Sequence, residues 1–291
     1  MHLWLNIIKK ILKKKTSHYK ILKNLELKFD DFIKLKKHTK SKNMKFISTP
    51  YDIKSLLFLI KIKSDYIKFA SSELLNFPML DIARKSNIPI ILSTGMSNLK
   101  EVVESIDFVL EKNKKLIVLK CTSDYPAKTE ELNLKGLKSL QEIFKNKIIY
   151  GFSDHSIGSI AAITSLKFDV KYIEKHFTLD KNANGPDHKA STDPKELKIF
   201  IRDVNNSIKA EGSDTWKISK QEIKQRKAMR KGCYARTNIK KGEILNSSNV
   251  IYLRPPNSLS PKDLYLYCLN KKVKKDIKKG SPLKKEYFSE L

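Results

Sequence analysis

From residue 44 onward, apolar and polar positions alternate between two rhythms. Short, nearly continuous apolar runs occupy 44–50 (MKFISTP), 66–73 (YIKFASSE), 88–95 (IPIILSTG), 116–123 (LIVLKCTS), 148–155 (IIYGFSDH) and 170–177 (VKYIEKHF). Between them, apolar residues recur at helical spacing, as in 98–113 (NLKEVVESIDFVLEKN) and 157–168 (IGSIAAITSLKF). Strands that alternate with helices in this way predict βαβ units and a parallel sheet. Apolar residues at consecutive positions suit strands buried on both faces. The rhythm stops after residue 212. A polar stretch follows at 213–232 and reads as a linker or connecting helix. Short strand-like pieces with turns fill 233–291, where the motif IKKG occurs at 239–242 and again at 277–280. This segment predicts a small β-rich domain with a weak internal repeat.

Every predicted strand carries polar chemistry at or just past its carboxyl end: Ser48 and Thr49, Lys68 with Ser71 and Glu73, Ser93 and Thr94, Ser123, Ser153 and His155, Glu174 and His176. In a (β/α) barrel that end is the active face. His155 and His176 are one βαβ unit apart and would reach one face from neighbouring strands. Two such imidazoles can hold a divalent metal, act as base and oxyanion donor, or merely cap loops. Lys68 among hydroxyls suits a small ligand bearing phosphate and carboxylate. Alternation sends Lys68 and Glu73 to opposite sides of an ideal strand, so Glu73 must sit on the turn that follows. The turn Gly185-Pro186-Asp187-His188 can aim the carboxylate of Asp187 over the site.

Composition changes this picture little. The 291 residues include 59 Lys and Arg against 31 acids, a formal charge of +28. Only six of the 59 are Arg, and the lysines are spread along the chain. Nucleic acids are read mainly by arginine forks, so the charge argues for a solvated basic surface that steers anions rather than for a nucleic-acid partner. Cys121, Cys233 and Cys268 have no metal-ligand spacing and suit a reducing, cytoplasmic setting. No apolar run reaches transmembrane length. Residues 1–16 form a basic amphipathic leader with Leu5, Ile8 and Leu12 at helical spacing. It reads as a helix packed on the domain or a frayed leader more readily than as a membrane contact.

The blocks FISTPYD (46–52), KFASSE (68–73), ILSTGM (91–96), KCTSDYP (120–126), GFSDHSIGS (151–159), IEKHFTLDK (173–181) and GPDHKAS (185–191) resemble the signatures of the sialic, legionaminic and pseudaminic acid synthases, in that family's order. IKKGE (239–243) and LRP (253–255) resemble its antifreeze-like (SAF) domain. The resemblance covers residues 17–288. It implies a TIM-type barrel at 17–212, a linker at 213–232 and an antifreeze-like domain at 233–291. It also implies a homodimer with swapped caps, phosphoenolpyruvate and an N-acetylated amino sugar such as N-acetylmannosamine as substrates, and a divalent metal, manganese or magnesium. By the same resemblance His155 and His176 hold the metal, and Thr49, Lys68, Ser71, Ser93, Ser123 and Ser153 hold phosphoenolpyruvate. Glu73, Tyr125 and Asp187 address the sugar, and Arg254 reaches it from the partner's cap. Lys68, Glu73 and Asp187 are the implied catalytic groups. Ser123 stands where some members carry Asn. The family's first two strands, which carry a Glu, an Asn-His pair and a Lys near a Gln, have no counterpart in MHLWLNIIKKILKKKT. The expected barrel therefore has six of eight strands, and a remnant or one subunit of a split enzyme is the alternative to an active synthase.

Overall fold

The computed structural model describes residues 26–185 and 187–288. The chain divides into two compact units, with the boundary between Gly212 and Ser213.

In the first unit six parallel strands lie side by side in chain order: β1 (Ile47–Ser48), β2 (Tyr66–Phe69), β3 (Ile90–Ser93), β4 (Leu116–Cys121), β5 (Ile149–Asp154) and β6 (Tyr172–Lys175). The intervening helices start where the sequence places good caps. Asp52 accepts from the Ser55 amide at 2.8 Å to open α2 (Ile53–Lys61), which follows α1 (Phe29–Ser41). Asn76 caps α3 (Phe77–Arg84). Asn98 with Glu101, and Asp193 with Glu196, form reciprocal capping boxes on α4 (Leu99–Leu110) and α7 (Pro194–Glu211). Helix α5 spans Leu137–Phe144. The predicted helix at 157–168 is shorter: α6 covers Ile160–Ser165, and a tighter 3-10 turn covers Leu166–Phe168.

Strand alternation sorts the side chains into two layers. Ile67, Phe69, Ile90, Leu92, Val118 and Phe152 point outward into a core shared with Leu56, Leu80, Ile106 and Leu137 of the helices. Ile91, Ile117 and Leu119 point inward with Tyr66 and Tyr172. The Tyr66 and Tyr172 hydroxyls meet at 3.3 Å although β2 and β6 are not neighbours, so the sheet curls into an arc. Among the described residues β1 and β6 do not pair, and the arc is an incomplete (β/α) barrel of six strands. The free edge expected at β6 is partly covered: just past the strand, Phe177 forms a parallel bridge with Thr192, whose amide donates to the His176 carbonyl at 2.8 Å. The packing proposed for Leu5, Ile8 and Leu12 lies outside the described residues.

The second unit holds α8 (Lys220–Met229), with no buried residue, and an antiparallel pair of β7 (Gly232–Ala235) and β8 (Val250–Leu253). Short bridges enclose a core of Cys233, Ile239, Leu245, Val273, Ile277 and Phe288. The two IKKG motifs are a structural repeat. Ile239 and Ile277 exchange both backbone hydrogen bonds at 2.8 Å. The Gly242 amide donates to the carbonyl four residues before Ile277, and the Gly280 amide to the carbonyl four residues before Ile239. Both glycines are left-handed, at φ +86° and +82°, which a side chain would disfavour.

Candidate active site

The carboxyl ends of the strands gather the polar side chains that alternation aims inward. On β2, Lys68 reaches across the arc to β6, where its Nζ lies 3.4 Å from Glu174 Oε1. On β5, the Ser153 hydroxyl donates to the same Glu174 oxygen at 2.8 Å. Glu174 thus ties three strands together at the mouth. The outward neighbours of this pair, Asp154 and Lys175, form a buried ion pair at 2.9 Å. Asp154 Oδ1 also accepts from the Ser156 amide at 2.9 Å and hydroxyl at 2.6 Å, and Lys175 donates to the Ser156 carbonyl. His155 is pinned between these two anchored residues.

The His155 ring is buried, with Nδ1 2.7 Å from the Thr122 carbonyl. That nitrogen must carry a proton to donate there. Nε2 faces the Ser153 oxygen at 3.3 Å, and the Ser153 proton is already committed to Glu174. Nε2 therefore either binds a proton and donates it to Ser153, or offers its lone pair to a cation. Burial opposes charge on this ring, but Cys121 and the Thr122 carbonyl outweigh it and raise its pKa above the ordinary value. Cys121 Sγ lies 3.9 Å from Nδ1. Burial opposes its thiolate, yet His155 and Ser71 together hold its pKa below that of a free thiol. His176 stands 5.2 Å from His155 between ring centres. Burial, then the charge of His155, push its pKa down. Its Nδ1 lies 3.9 Å from Asp187. Tyr125 packs against both imidazoles, with ring centres 4.2 Å and 5.4 Å away. Burial first, then Cys121 and Asp187, push its pKa up to about 12, so its hydroxyl stays protonated at neutral pH.

A small cradle lies beside this group. The Gly95 amide donates to Ser71 Oγ at 3.0 Å. A Cβ on Gly95 would stand 2.7 Å from Ser71 Oγ and 2.2 Å from Ser123 Oγ, so only glycine leaves this space open. Ser93, at the end of β3, is buried, and its hydroxyl has no hydrogen-bond partner among the described residues. Thr49 is half-buried just past β1. Glu73 ends the turn Ser71–Glu73 and accepts from the Asn76 side chain at 2.7 Å. Its charge, with those of Glu174 and Asp187, adds to burial in raising the pKa of Tyr51, which places Tyr51 on the same rim. His188 pairs with the Thr178 hydroxyl at 2.8 Å in the turn that follows. Arg254 belongs to the second unit, where its Nη1 meets Met229 Sδ at 3.8 Å.

Lys68, Ser71, Ser93, Ser123, Ser153, His155, His176, Tyr125 and Asp187 thus lie along one mouth. The sequence places Glu174 at the shared strand ends without giving it a role, and it does not point to Cys121 or Tyr51. Alternation on β4 aims Cys121 inward with Ile117 and Leu119, a signal that was available. Among the described residues no three His, Cys, Asp or Glu side chains converge as a closed metal cage. The donor set still fits a cation that keeps open positions: Nδ1 of His155 is fixed by a carbonyl, the second contact that orients most metal-binding histidines.

The NeuB family model matches residues 6–215 and the SAF domain model residues 230–288. The chain is 39% identical to the N,N'-diacetyllegionaminic acid synthase of Campylobacter jejuni over 247 residues, covering 84% of this chain and 73% of that protein. It is 37% identical to a pseudaminic acid synthase of the same species, covering 83% and 69%. The crystal structure of an N-acetylneuraminic acid (sialic acid) synthetase from Leptospira borgpetersenii superposes with a TM-score of 0.66 at 27% identity, over 75% of each chain. With its barrel strands, polar mouth and β-rich second unit, the chain belongs to the NeuB family of sialic acid synthases.

Proposed function

We propose that the mouth of this barrel condenses phosphoenolpyruvate with the open-chain form of an N-acetylated amino sugar, releasing inorganic phosphate. The observation that carries the reading is the buried Ser93 hydroxyl, without a partner among the described residues, at the end of the strand that leads into the Gly95 cradle and pairs with the strand carrying Lys68. A buried donor with no internal partner is costly, and an anionic ligand oxygen would satisfy it.

In this reading Lys68 and the hydroxyls of Thr49, Ser71, Ser93, Ser123 and Ser153 receive the phosphate and carboxylate. Lys68 exchanges its contact with Glu174 for the anion. The sugar lies toward Tyr125, Glu73 and Asp187. The C3 carbon of phosphoenolpyruvate bonds to the sugar's aldehyde carbon, whose oxygen takes up a proton. Water adds at C2, and phosphate departs as the C2–O bond breaks, leaving a 2-keto acid. Lys68 and the hydroxyls hold the negative charge in place throughout. His155 and His176 would hold a divalent cation, manganese or magnesium, which supplies Lewis acidity at a carbonyl oxygen when bound. Tyr125, kept protonated, donates to the sugar.

The active assembly is proposed to be a cytoplasmic homodimer with Arg254 serving the partner's barrel. No described helix is long and apolar enough to cross a membrane. The edges of β1 and β6 that stay unpaired among the described residues favour a second reading, that this chain is a non-catalytic remnant or one subunit of a split synthase. Phosphate release and product mass are measured with phosphoenolpyruvate, manganese and each of three sugars: N-acetylmannosamine and the legionaminic and pseudaminic precursors. A nonulosonic acid formed in step with phosphate supports the first reading. Bound phosphoenolpyruvate without turnover supports the second. Neither binding nor turnover would sink both.

A further inference from the structure

The second unit carries a groove of about 690 Å³ between α8 and the loop after β8. Ile223, Pro256 and Pro261 form its apolar floor. Arg226, Lys227, Arg230, Lys231 and Lys262 form its rim, and no carboxylate lines it. Among the described residues none of these five side chains has an ion pair or hydrogen bond, and all five are exposed. The nearby acids are engaged elsewhere: Glu222 in the capping box of α8, and Asp263 with the Ser260 hydroxyl at 2.8 Å.

The lysine-rich composition does not account for this rim. The chain has only six arginines in 291 residues, yet two of them, Arg226 in the last turn of α8 and Arg230 just past its end, line this groove. Guanidinium forks match phosphoryl oxygens two at a time. The volume lies within the roughly 300–1,000 Å³ of small-molecule sites. A second copy of the chain would bring another +28 charges toward five cations, which disfavours it as the occupant.

We propose that this groove is a binding site for a small organic phosphate, with the phosphoryl groups on Arg226 and Arg230 and the body on Ile223, Pro256 and Pro261. It is separate from the phosphoenolpyruvate site proposed for the barrel and does not depend on it. The test uses the full chain carrying Lys68→Gln, so that the barrel mouth does not add anion binding. ADP and inorganic pyrophosphate are titrated by calorimetry against this chain. The same titrations are run on Arg226→Gln/Arg230→Gln and on a charge-matched control, Lys138→Gln/Lys198→Gln, with sedimentation of all three. Expected are saturable ADP binding tighter than pyrophosphate, a loss of tenfold or more in the arginine variant, and less than a twofold change in the control. Equal weakening in both double variants would assign the effect to bulk charge and overturn the site. So would an absence of saturable binding, ADP binding no tighter than pyrophosphate, or an arginine variant that changes oligomeric state while binding ADP unchanged.

Discussion

Ser93 buries a hydroxyl that no other described group satisfies, at the end of a strand whose other three residues are Ile, Ile and Leu. Such a group costs about 1–3 kcal/mol when its partner is missing. Ser93→Ala is therefore expected to raise stability by about 1 kcal/mol in denaturant unfolding while weakening phosphoenolpyruvate binding about tenfold, since a hydrogen bond to a charged group contributes about 1.5–3 kcal/mol. A variant that is less stable, or that binds as well as the parent, would remove Ser93 from the ligand site. For the two imidazoles, manganese titration is the direct measurement. His155→Ala and His176→Ala should each weaken it by at least the roughly 10–100-fold that loss of an outer-shell partner costs. Unchanged manganese affinity in both would sink the metal assignment. Much of this was legible residue by residue, because period-two alternation alone aims Lys68, Ser93, Ser153 and Glu174 to one side. What was not legible is who meets whom. The contact between Lys68 and Glu174 depends on curvature across five strands, and the tautomer of His155 is set by the backbone carbonyl of Thr122, which no side-chain pattern encodes.

At the scale of elements, the strands are legible because both their faces are apolar, and the helices because apolar residues recur at helical spacing; the structure adds that Asp52, Asn98, Asp193 and Ser219 cap the helices that follow them. Lengths were less legible. β1 pairs over only Ile47 and Ser48, since pairing ends where a neighbour's backbone turns away. The bridge from Phe177 to Thr192 joins segments with no shared pattern. The pair Asp154–Lys175 shows what holds two strand ends in register. Breaking a buried ion pair by removing one partner costs about 3–5 kcal/mol. Lys175→Met should lose about that much in denaturant unfolding, and Asp154→Leu/Lys175→Met should recover part of it, because no lone charge then stays buried. A loss below about 1 kcal/mol in the single variant would mean that this pair does not anchor the segment carrying His155.

At the scale of the whole molecule, two arrangements remain to be tested. If Arg254 serves a partner's barrel, mixing Arg254→Ala chains with His155→Ala chains should restore activity that neither has alone, in a preparation whose parent is active. No rescue despite proven subunit exchange would assign Arg254 to its own barrel. The second arrangement is the open arc. A parallel barrel is closed by pairing its first and last strands, which removes exposed edges. Among the described residues β1 and β6 each keep an edge, relieved at one point by Thr192. Unpaired strand edges invite association. The repeating strand and helix rhythm predicted six strands of a parallel sheet, and the family resemblance, which implies a barrel of eight, made that an incomplete barrel. The family's first two strands are implied to bring a Lys toward phosphoenolpyruvate and a Glu toward the sugar. Losing one charged contact to a phosphate costs about 1.5–3 kcal/mol, roughly ten- to a hundredfold in rate. These 291 residues taken by themselves are therefore expected to release phosphate slowly, and joining them to a segment carrying those two strands should accelerate it at least tenfold and reduce self-association in sedimentation. The Lys68–Glu174 contact is already in place, so the gain should appear without any change in the six existing strands. Robust turnover by the unmodified chain, not improved by the added segment, would show that six strands suffice and that the open edge is no defect of the site.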